Sequence, residues 1–199
     1  MDDVLTASRE FNSYRSQIPP KEHASIVRCE ANDARQMTTI LYLDYDGVLH
    51  DDAVYWSPKQ GIFINTPGRT LFEWMPILEE LLFPYPDVKI VLSTSWVRVK
   101  SFRFAKEHLS PSLQARVVGA TYHHREMRRH EFEYLPRGVQ VWEDVVRRKP
   151  TAWFALDNDE FGWPEWCRGN LVKTEDHLGL SDESVQEEIR NLLKRLWNR

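Results

Sequence analysis

The chain has 199 residues, of which 42% are hydrophobic, and a formal net charge of −4 at pH 7. The hydrophobic content and the eight tryptophans argue against a disordered polypeptide, and the small negative charge gives no general indication of nucleic-acid binding. The length suits one domain with a sizeable core, and no apolar run is long enough to cross a membrane. Cys29 and Cys167 are far apart in sequence, and the N-terminus lacks a signal-peptide pattern. We therefore expect two free thiols in a soluble cytoplasmic protein.

The first predicted elements are an extension, a strand, a flap and a helix. Residues 1–36 are mixed and polar, and they are predicted to form an N-terminal arm or helical extension. The apolar run after them predicts a buried strand over 39–44. Residues 47–67 are predicted to form a hairpin flap whose return strand is 62–64. Apolar residues at helical spacing then predict a core-facing helix over 69–83.

The rest of the chain alternates between predicted strands and helices. Further strands are predicted at 88–93, 115–120, 151–156 and 171–173, and helices at 98–108, 138–148 and 184–196. Ser181 is predicted to cap the last helix. This alternation indicates an α/β fold, with a Rossmann-like parallel sheet of about five strands and flanking helices. The gaps between these elements have no room for a large inserted cap domain.

Two acids and a glycine stop the first strand: Asp44, Asp46 and Gly47. Side chains two residues apart share a face of a strand, and Gly47 lets the backbone turn sharply. Two carboxylates this close repel each other unless a cation or a shared proton lies between them, and Mg²⁺ is the simplest such cation. The alternative is an Asp-Gly turn with solvated acids. A calcium-binding loop is excluded because Tyr55 stands where its final glutamate would be.

Polar residues also lie at the ends of the other predicted strands. Residues 93–95 are Ser-Thr-Ser at the end of the second strand, residues 157–159 are Asp-Asn-Asp after the fourth, and Arg137 opens the helix between them. In open α/β sheets, the ligand crevice lies at the carboxyl ends of the strands. These residues are therefore candidates for one site. Each group also has a plainer interpretation, as a Ser/Thr-rich turn, an Asx turn or a solvated helix start.

Four segments, in order LDYDGVLH, VLSTSW, RGVQVW and FALDND, carry a resemblance to a known family. They resemble the four motifs of the haloacid dehalogenase-like (HAD) superfamily of phosphatases and phosphotransferases. They look most like the HAD domain of Swiss Army Knife RNA repair proteins. The resemblance covers residues 40–174. It implies a HAD-like catalytic domain over 37–199 without a large cap, acting as a Mg²⁺-dependent phosphomonoesterase through an aspartyl-phosphate.

The resemblance assigns roles to residues of the first two motifs. Asp44 would be the nucleophile that forms the aspartyl-phosphate, and its carboxylate would also bind Mg²⁺. Asp46 would protonate the leaving oxygen and then activate water, while its backbone carbonyl binds the metal. Thr94 would hydrogen-bond a phosphate oxygen, with Ser93 as the alternative.

The last two motifs would supply a cation and further metal ligands. Arg137 would bind the phosphate at a position where most of the superfamily has lysine, and arginine keeps the charge while adding a planar fork. Lys149 is a rival cation, but it precedes the fourth strand and so lies at the wrong end of it. Asp157 would complete the magnesium sphere. Asn158 or Asp159 would be a second ligand or a partner of one.

The expected substrate is a phosphorylated molecule, and the resemblance favours a nucleotide or the end of an RNA or DNA strand. The basic segment 123–130 supports this class, because arginines can contact backbone phosphates. The contacting residues would be Arg125, Arg128 and Arg129. A solvated face is the plainer interpretation of the segment, and a zinc site is a third, formed by His123, His124 and His130.

Two other functions stay open from the sequence. One is a phosphatase of small metabolites or phosphoproteins. The other is an inactive HAD-like module that binds an unknown protein partner through residues 1–36 or a tryptophan-rich surface. The presence of both Asp44 and Asp46 argues against the inactive module.

Overall fold

The structure is a computed structural model, and it describes residues 38–124 and 127–197. The predicted arm at 1–36 and Cys29 lie outside the described residues. The strands of the described part are β1 (Thr39–Leu43), β2 (Val54–Ser57), β3 (Gly61–Ile64), β4 (Lys89–Leu92), β5 (Val117–Ala120), β6 (Ala152–Asp157) and β7 (Leu171–Lys173). Its α-helices are α1 (Met75–Leu82), α2 (Ser95–Val99), α3 (Phe102–Glu107), α4 (Pro111–Arg116), α5 (Arg129–Tyr134), α6 (Arg137–Arg148) and α7 (Glu183–Trp197).

Five strands form one parallel sheet in the order β5-β4-β1-β6-β7. β1 lies at the centre, with Leu43 opposite Leu92 of β4 and Leu156 of β6. The residues that follow these strands therefore emerge at one edge. There the backbone N–H of Asp44 donates to the Leu156 carbonyl at 3.1 Å, and that of Ser93 donates to the Leu43 carbonyl at 2.8 Å. The predicted α/β fold with a five-stranded parallel sheet is confirmed.

Both faces of the sheet are buried, which explains why β1 is a continuous apolar run. Leu41 and Leu43 belong to a cluster shared with α1 and α7, whereas Ile40 and Tyr42 belong to a second cluster shared with α6. Alternate residues of a strand point to opposite faces. The Tyr42 hydroxyl donates to Asp144, a fully buried acid on α6, at 2.9 Å. Packing on both faces fixes β1 and, with it, the residues at its carboxyl end.

Two predicted helices are shorter than their apolar patterns indicated. The helix predicted over 69–83 begins only at Met75, because the chain turns before it and Phe72 has a left-handed φ of 61°. The helix predicted over 98–108 is divided into α2 and α3. The division follows from Ser101, whose Oγ accepts the N–H of Phe104 at 3.0 Å and so starts a new helix.

Three other predictions are corrected. The third strand begins at Val117 rather than at 115, because α4 occupies the residues before it. The basic segment runs into α5, a helix that the sequence pattern did not predict. Asp182, not Ser181, caps the last helix, since its Oδ1 accepts the N–H of Ser184 at 2.8 Å.

The predicted flap is an antiparallel hairpin of β2 and β3. Its exposed Trp56 lies against Lys100, whose Nζ is 4.7 Å from the ring centroid, a distance typical of a cation–π contact. Between β4 and α6, the described chain contains only short helices and β5, so no large cap is inserted there. Within the described ranges, no helix is both long and apolar enough to cross a membrane.

Candidate active site

Asp44 follows β1 at the centre of the sheet edge and is almost fully buried. Its Oδ1 accepts the backbone N–H of Tyr45 at 2.7 Å. The chain then turns at Gly47, whose φ of 66° lies in the left-handed region that glycine adopts without strain. A Cβ at this glycine would lie 2.6 Å from the Nδ2 of Asn158. The loops after β1 and β6 therefore pack directly against each other.

One guanidinium joins three segments of this edge. Arg137, the first residue of α6, places its Nη2 3.0 Å from Asp44 Oδ2 and its Nε 3.1 Å from Asp157 Oδ2. Its Nη1 donates to the Ser93 carbonyl. A guanidinium has five N–H donors in a planar fork, so these contacts leave capacity for a phosphate. Lys149, the rival cation, ends α6 and precedes β6, and so lies at the opposite edge of the sheet.

Asp44 and Asp157, the two carboxylates paired with Arg137, are buried, and burial disfavours their charged forms. Burial raises the pKa of Asp44 to about 6, with Arg137 opposing the rise. Burial also raises the pKa of Asp157 well above its ordinary value, and the charge of Asp44 adds to this rise. Two buried acids around one guanidinium leave an excess of negative charge. A bound cation would relieve it.

Magnesium fits this donor set by its chemistry. Mg²⁺ prefers hard oxygen ligands and usually keeps several waters, and Asp44 and Asp157 offer buried carboxylate oxygens. The backbone carbonyl of Asp46 is the third predicted ligand. The part of the chain that the structure describes contains no group of three or more His, Cys, Asp or Glu residues arranged to hold a metal ion. The predicted set combines two carboxylates with a carbonyl and waters, so it does not require such a group.

Asn158 and Asp159 are the two further predicted metal ligands, and their side chains contact other residues. The Nδ2 of Asn158 donates to Asp176 at 2.9 Å. Asp159 is exposed, and its Oδ1 accepts the N–H of Phe161 at 2.7 Å. The backbone N–H of Asp159 donates to Asp157 Oδ1 at 3.0 Å. Asp159 thus orients the Asp157 carboxylate, and direct metal binding by Asn158 or Asp159 stays a prediction.

Asp46 is half-buried and held by neighbours that the sequence did not predict. The indole N–H of Trp96 donates to Asp46 Oδ1 at 2.9 Å, and the Nε2 of His50 lies 3.1 Å from the same oxygen. The Ser95 hydroxyl lies 3.5 Å from Oδ2. Trp96 and His50 are buried and in ring contact at a centroid distance of 6.0 Å. This support fixes one oxygen of Asp46 and leaves Oδ2 the freer one.

Trp96 and His50 are the site residues that sequence reasoning missed. Large aromatic side chains are typical of a protein core, so the sequence pattern gives Trp96 no role in the site. Trp96 is buried, but its indole N–H donates to Asp46 in the site. A signal was available, because this tryptophan directly follows the hydroxyl-rich segment in VLSTSW, at a predicted strand end.

Two hydroxyl groups follow β4 at this edge. Thr94 is buried, and its Oγ1 accepts the N–H of Trp96 at 3.4 Å to cap α2. The Oγ of Ser93 is buried and has no hydrogen-bond partner among the described residues. Buried hydroxyls normally have a partner, so this one is free to bind a ligand oxygen. Both residues predicted to bind phosphate therefore lie next to the carboxylate cluster.

The basic segment is described except for residues 125 and 126, so the predicted role of Arg125 lies outside the described residues. Arg128 is exposed, and its Nη1 lies 3.3 Å from Glu131 Oε1. His123 is turned toward the buried Asp144, with 3.9 Å between its Nε2 and the Asp144 Oδ1. His123 thus faces the buried pair of Tyr42 and Asp144 beside the second core cluster.

A cavity of about 330 Å³ opens beside the carboxylate cluster. Its wall includes Thr94 and Arg137, and residues of α2, of α5 and the two residues after it, of α6 and of the loop after β6 form the rest. Two of the residues predicted to bind phosphate, Thr94 and Arg137, therefore also line the cavity.

The parallel sheet, the paired acids after its central strand and the bridging guanidinium together define a HAD-like domain. A sequence model of the family described as the HAD domain in Swiss Army Knife RNA repair proteins matches residues 40–185. The match covers most of the chain, and the chain belongs to this family. No curated protein and no solved structure gives a match. Membership indicates a hydrolase of the phosphatase type, in a family named for RNA repair proteins.

Proposed function

We propose that the protein is a Mg²⁺-dependent phosphomonoesterase that forms an aspartyl-phosphate on Asp44. The observation that carries the proposal is the guanidinium of Arg137, which lies 3.0 Å from Asp44 and 3.1 Å from Asp157. Two buried carboxylates around one cation suit a site that receives a metal ion and a phosphate dianion. In this mechanism Asp44 and Asp157 hold the metal, and Asp46 carries the protons.

In the first step, an oxygen of Asp44 attacks phosphorus, and the bond between phosphorus and the ester oxygen breaks. Asp46 gives a proton to that leaving oxygen. Trp96 and His50 hold Oδ1 of Asp46, so Oδ2 is the oxygen that exchanges the proton. Arg137 and the hydroxyls after β4 bind the phosphate oxygens and stabilise their charge in the transition state.

In the second step, water attacks the phosphorus of the aspartyl-phosphate. The water gives a proton to the Asp46 carboxylate, the bond between phosphorus and Asp44 breaks, and inorganic phosphate leaves. Bound Mg²⁺ supplies positive charge that reduces the repulsion between the nucleophile and the phosphate. Asp159 keeps the Asp157 carboxylate oriented throughout.

A nucleotide or the end of a nucleic-acid strand is the substrate class that we favour. The family is named for RNA repair proteins, and the described residues carry no large cap that would close the site to a long chain. Arg128 and Arg129 of the basic segment are both exposed, and exposed arginines can contact backbone phosphates, although Glu131 pairs with Arg128. Small metabolites and phosphoproteins are the substrates against which this preference is tested.

The test is hydrolysis of p-nitrophenyl phosphate, and of oligonucleotides with a 3′- or a 5′-phosphate, in the presence of Mg²⁺. Asp44→Asn should abolish turnover, because an amide cannot attack phosphorus. Asp46→Asn should slow turnover by about 10²–10⁴-fold. Asp182→Asn is the matched control, since Asp182 is an acid at the start of α7 that has no contact with the site.

Near-normal rates in Asp44→Asn would show that the chemistry occurs elsewhere. If the wild-type protein hydrolysed none of these esters, the inactive binding module would be the better description. A higher kcat/KM for a small phosphorylated metabolite or a phosphopeptide than for the oligonucleotides would contradict the substrate class.

A further inference from the structure

The cavity beside the carboxylate cluster has both polar and apolar side chains in its wall. The polar ones are Thr94, Ser95, Arg98, Glu133, Arg137, Gln140 and Asp159. The apolar and aromatic ones are Phe132, Tyr134, Leu135, Pro136 and Phe161. Its volume of about 330 Å³ is typical of a pocket for a small molecule. A phosphate bound at Asp44 would therefore have an apolar space beside it.

Two aromatic rings of this wall are unusually exposed. Tyr134, the last residue of α5, is 85% exposed, and Phe161, in the loop after β6, is 71% exposed. Single exposed apolar residues are common, but exposed apolar side chains that lie together at a cavity mark a binding surface. The rings come from different segments of the chain, yet both line the cavity.

The two segments that carry these rings are locked together by glycine contacts. A Cβ at Gly162 would lie 2.0 Å from Pro136 Cβ, and one at Gly138 would lie 2.5 Å from the Cα of Trp163. Only hydrogen side chains permit such an approach. Backbone packing therefore sets the distance between the segment that carries Tyr134 and the segment that carries Phe161. These segments lose little conformational entropy when a ligand binds.

The end of α5 is held by hydrogen bonds from α6. The amide nitrogen of Gln140 on α6 donates to the carbonyls of Phe132 and Leu135, at 3.1 and 2.8 Å. These acceptors flank Tyr134 in sequence. Phe132 is itself buried, and its ring centroid lies 5.1 Å from that of Tyr122. Tyr134 thus stands on a backbone that is fixed on both sides.

The arginines of the cavity wall are paired with acids. Arg98 is paired with Glu133, and Arg137 is paired with Asp44 and Asp157. Among the wall residues that the structure describes, both arginines are thus engaged. A second phosphate would find little free positive charge here. The wall suits an uncharged, planar ring.

The geometry points to a subsite in which Phe161 and Tyr134 bind the nucleobase of a nucleoside phosphate whose phosphate lies at Asp44. This inference rests on the proposed function, which it deepens by naming the part of the substrate that is recognised. Stacking on aromatic rings is tolerant of base identity, because every base has a π-face. The subsite therefore selects nucleoside phosphates over ring-free esters without reading sequence.

The experiment compares kcat/KM for two mononucleotides, adenosine 5′-monophosphate and adenosine 3′-monophosphate, with that for glycerol phosphate, which has no ring. Phe161→Ala and Tyr134→Ala should each lower kcat/KM for the preferred nucleotide by roughly 10-fold, the effect of losing one stacking platform. The value for glycerol phosphate should stay unchanged. Phe83→Ala is the matched control, because Phe83 is 83% exposed but does not line the cavity.

A second measurement separates this inference from the proposed function. Calorimetric titration of adenosine monophosphate into Asp44→Asn, and into the same protein with Phe161→Ala added, reports binding without turnover. Binding that is lost with Phe161, together with no hydrolysis of any of these esters by the wild type, would support the subsite and overturn the proposed function. Hydrolysis with no preference for nucleotides over glycerol phosphate would overturn the subsite alone, and so would an equal loss on both substrates. Absence of both binding and turnover would overturn both.

A third measurement tests whether the subsite binds a free nucleotide or the terminal nucleotide of a strand. A phosphorylated oligonucleotide should lose kcat/KM in Phe161→Ala by the same factor as the mononucleotide if its terminal base occupies the subsite. No loss with the oligonucleotide would overturn the assignment for strand ends and restrict it to free nucleotides.

Discussion

Removing the guanidinium of Arg137 should destabilise the metal-free protein. This side chain is only 17% exposed and makes two ion pairs, at 3.0 and 3.1 Å. Two unit charges about 4 Å apart attract each other by about 4 kcal/mol at an effective dielectric constant of about 20. Two such pairs give about 8 kcal/mol as an upper bound. Without the guanidinium, Asp44 and Asp157 relax and take up protons, which reduces the loss. We therefore expect Arg137→Ala to lower the free energy of unfolding by about 3–5 kcal/mol near neutral pH.

The loss should grow as the pH rises. Burial raises the pKa of Asp44 to about 6 and raises that of Asp157 well above its ordinary value, and Arg137 opposes both shifts. Without Arg137 both folded pKa values rise further, while the unfolded values stay near about 3.9. The folded variant then binds more protons than the unfolded chain. Its stability falls by up to about 1.4 kcal/mol per pH unit per proton as the pH rises toward the folded pKa values.

The assay is urea unfolding followed by tryptophan fluorescence, with EDTA present, at about pH 5.5 and about pH 8. The gap between the wild type and Arg137→Ala should be larger at the higher pH. Arg137→Lys is the control, because it keeps one charge but loses the fork that reaches Asp44, Asp157 and the Ser93 carbonyl. Its loss should be intermediate. An equal gap at both pH values, or a larger gap at the lower one, would refute the electrostatic explanation.

Two further predictions concern the metal and the support of Asp46. Mg²⁺ should raise the melting temperature of the wild type more at about pH 8 than at about pH 5.5, because protons compete for its carboxylate ligands. Asp157→Asn should remove most of that rise in scanning fluorimetry, and an undiminished rise would place the ion elsewhere. Trp96→Phe should lower kcat about 10-fold with little change in KM, since it removes one hydrogen bond to the Asp46 carboxylate. Steady-state kinetics with p-nitrophenyl phosphate measures this, and an unchanged kcat would leave Trp96 a core residue only.

The central sheet and the carboxylate cluster could be predicted because their signals are local. An apolar run stopped by acids defines the ends of β1 and β6, and the parallel register then aligns those ends. Asp44, Asp157 and Arg137 were therefore predicted to meet although they are far apart in sequence. The resemblance supplied the roles that position alone does not assign.

The errors have equally local causes. The apolar pattern over 98–108 continues through Ser101, so periodicity hid a cap that starts a new helix. Ser110 followed by Pro111 is a helix-start signal that was available before α4, but the predicted strand over 115–120 obscured it.

Other features depend on contacts between distant segments, and no local pattern reports them. Trp96 reaches Asp46 across the gap between two strands, and Asn158 turns to Asp176 in another loop. The sharing of one guanidinium by two carboxylates also depends on contacts between distant segments. A cation at the start of α6 was predicted, whereas its distances to each acid follow only from the packing of α6 on the sheet.

Formation of an aspartyl-phosphate at Asp44 is the central claim, and chemical trapping tests it most directly. The protein is mixed with substrate and Mg²⁺, quenched in acid during turnover and treated with borohydride, which reduces an acyl phosphate to an alcohol. Peptide mass spectrometry then locates the reduced residue. We predict homoserine at position 44, only in samples that received substrate. Turnover accompanied by reduction at another residue, or by no reduction at all in either the wild type or Asp46→Asn, would contradict the claim.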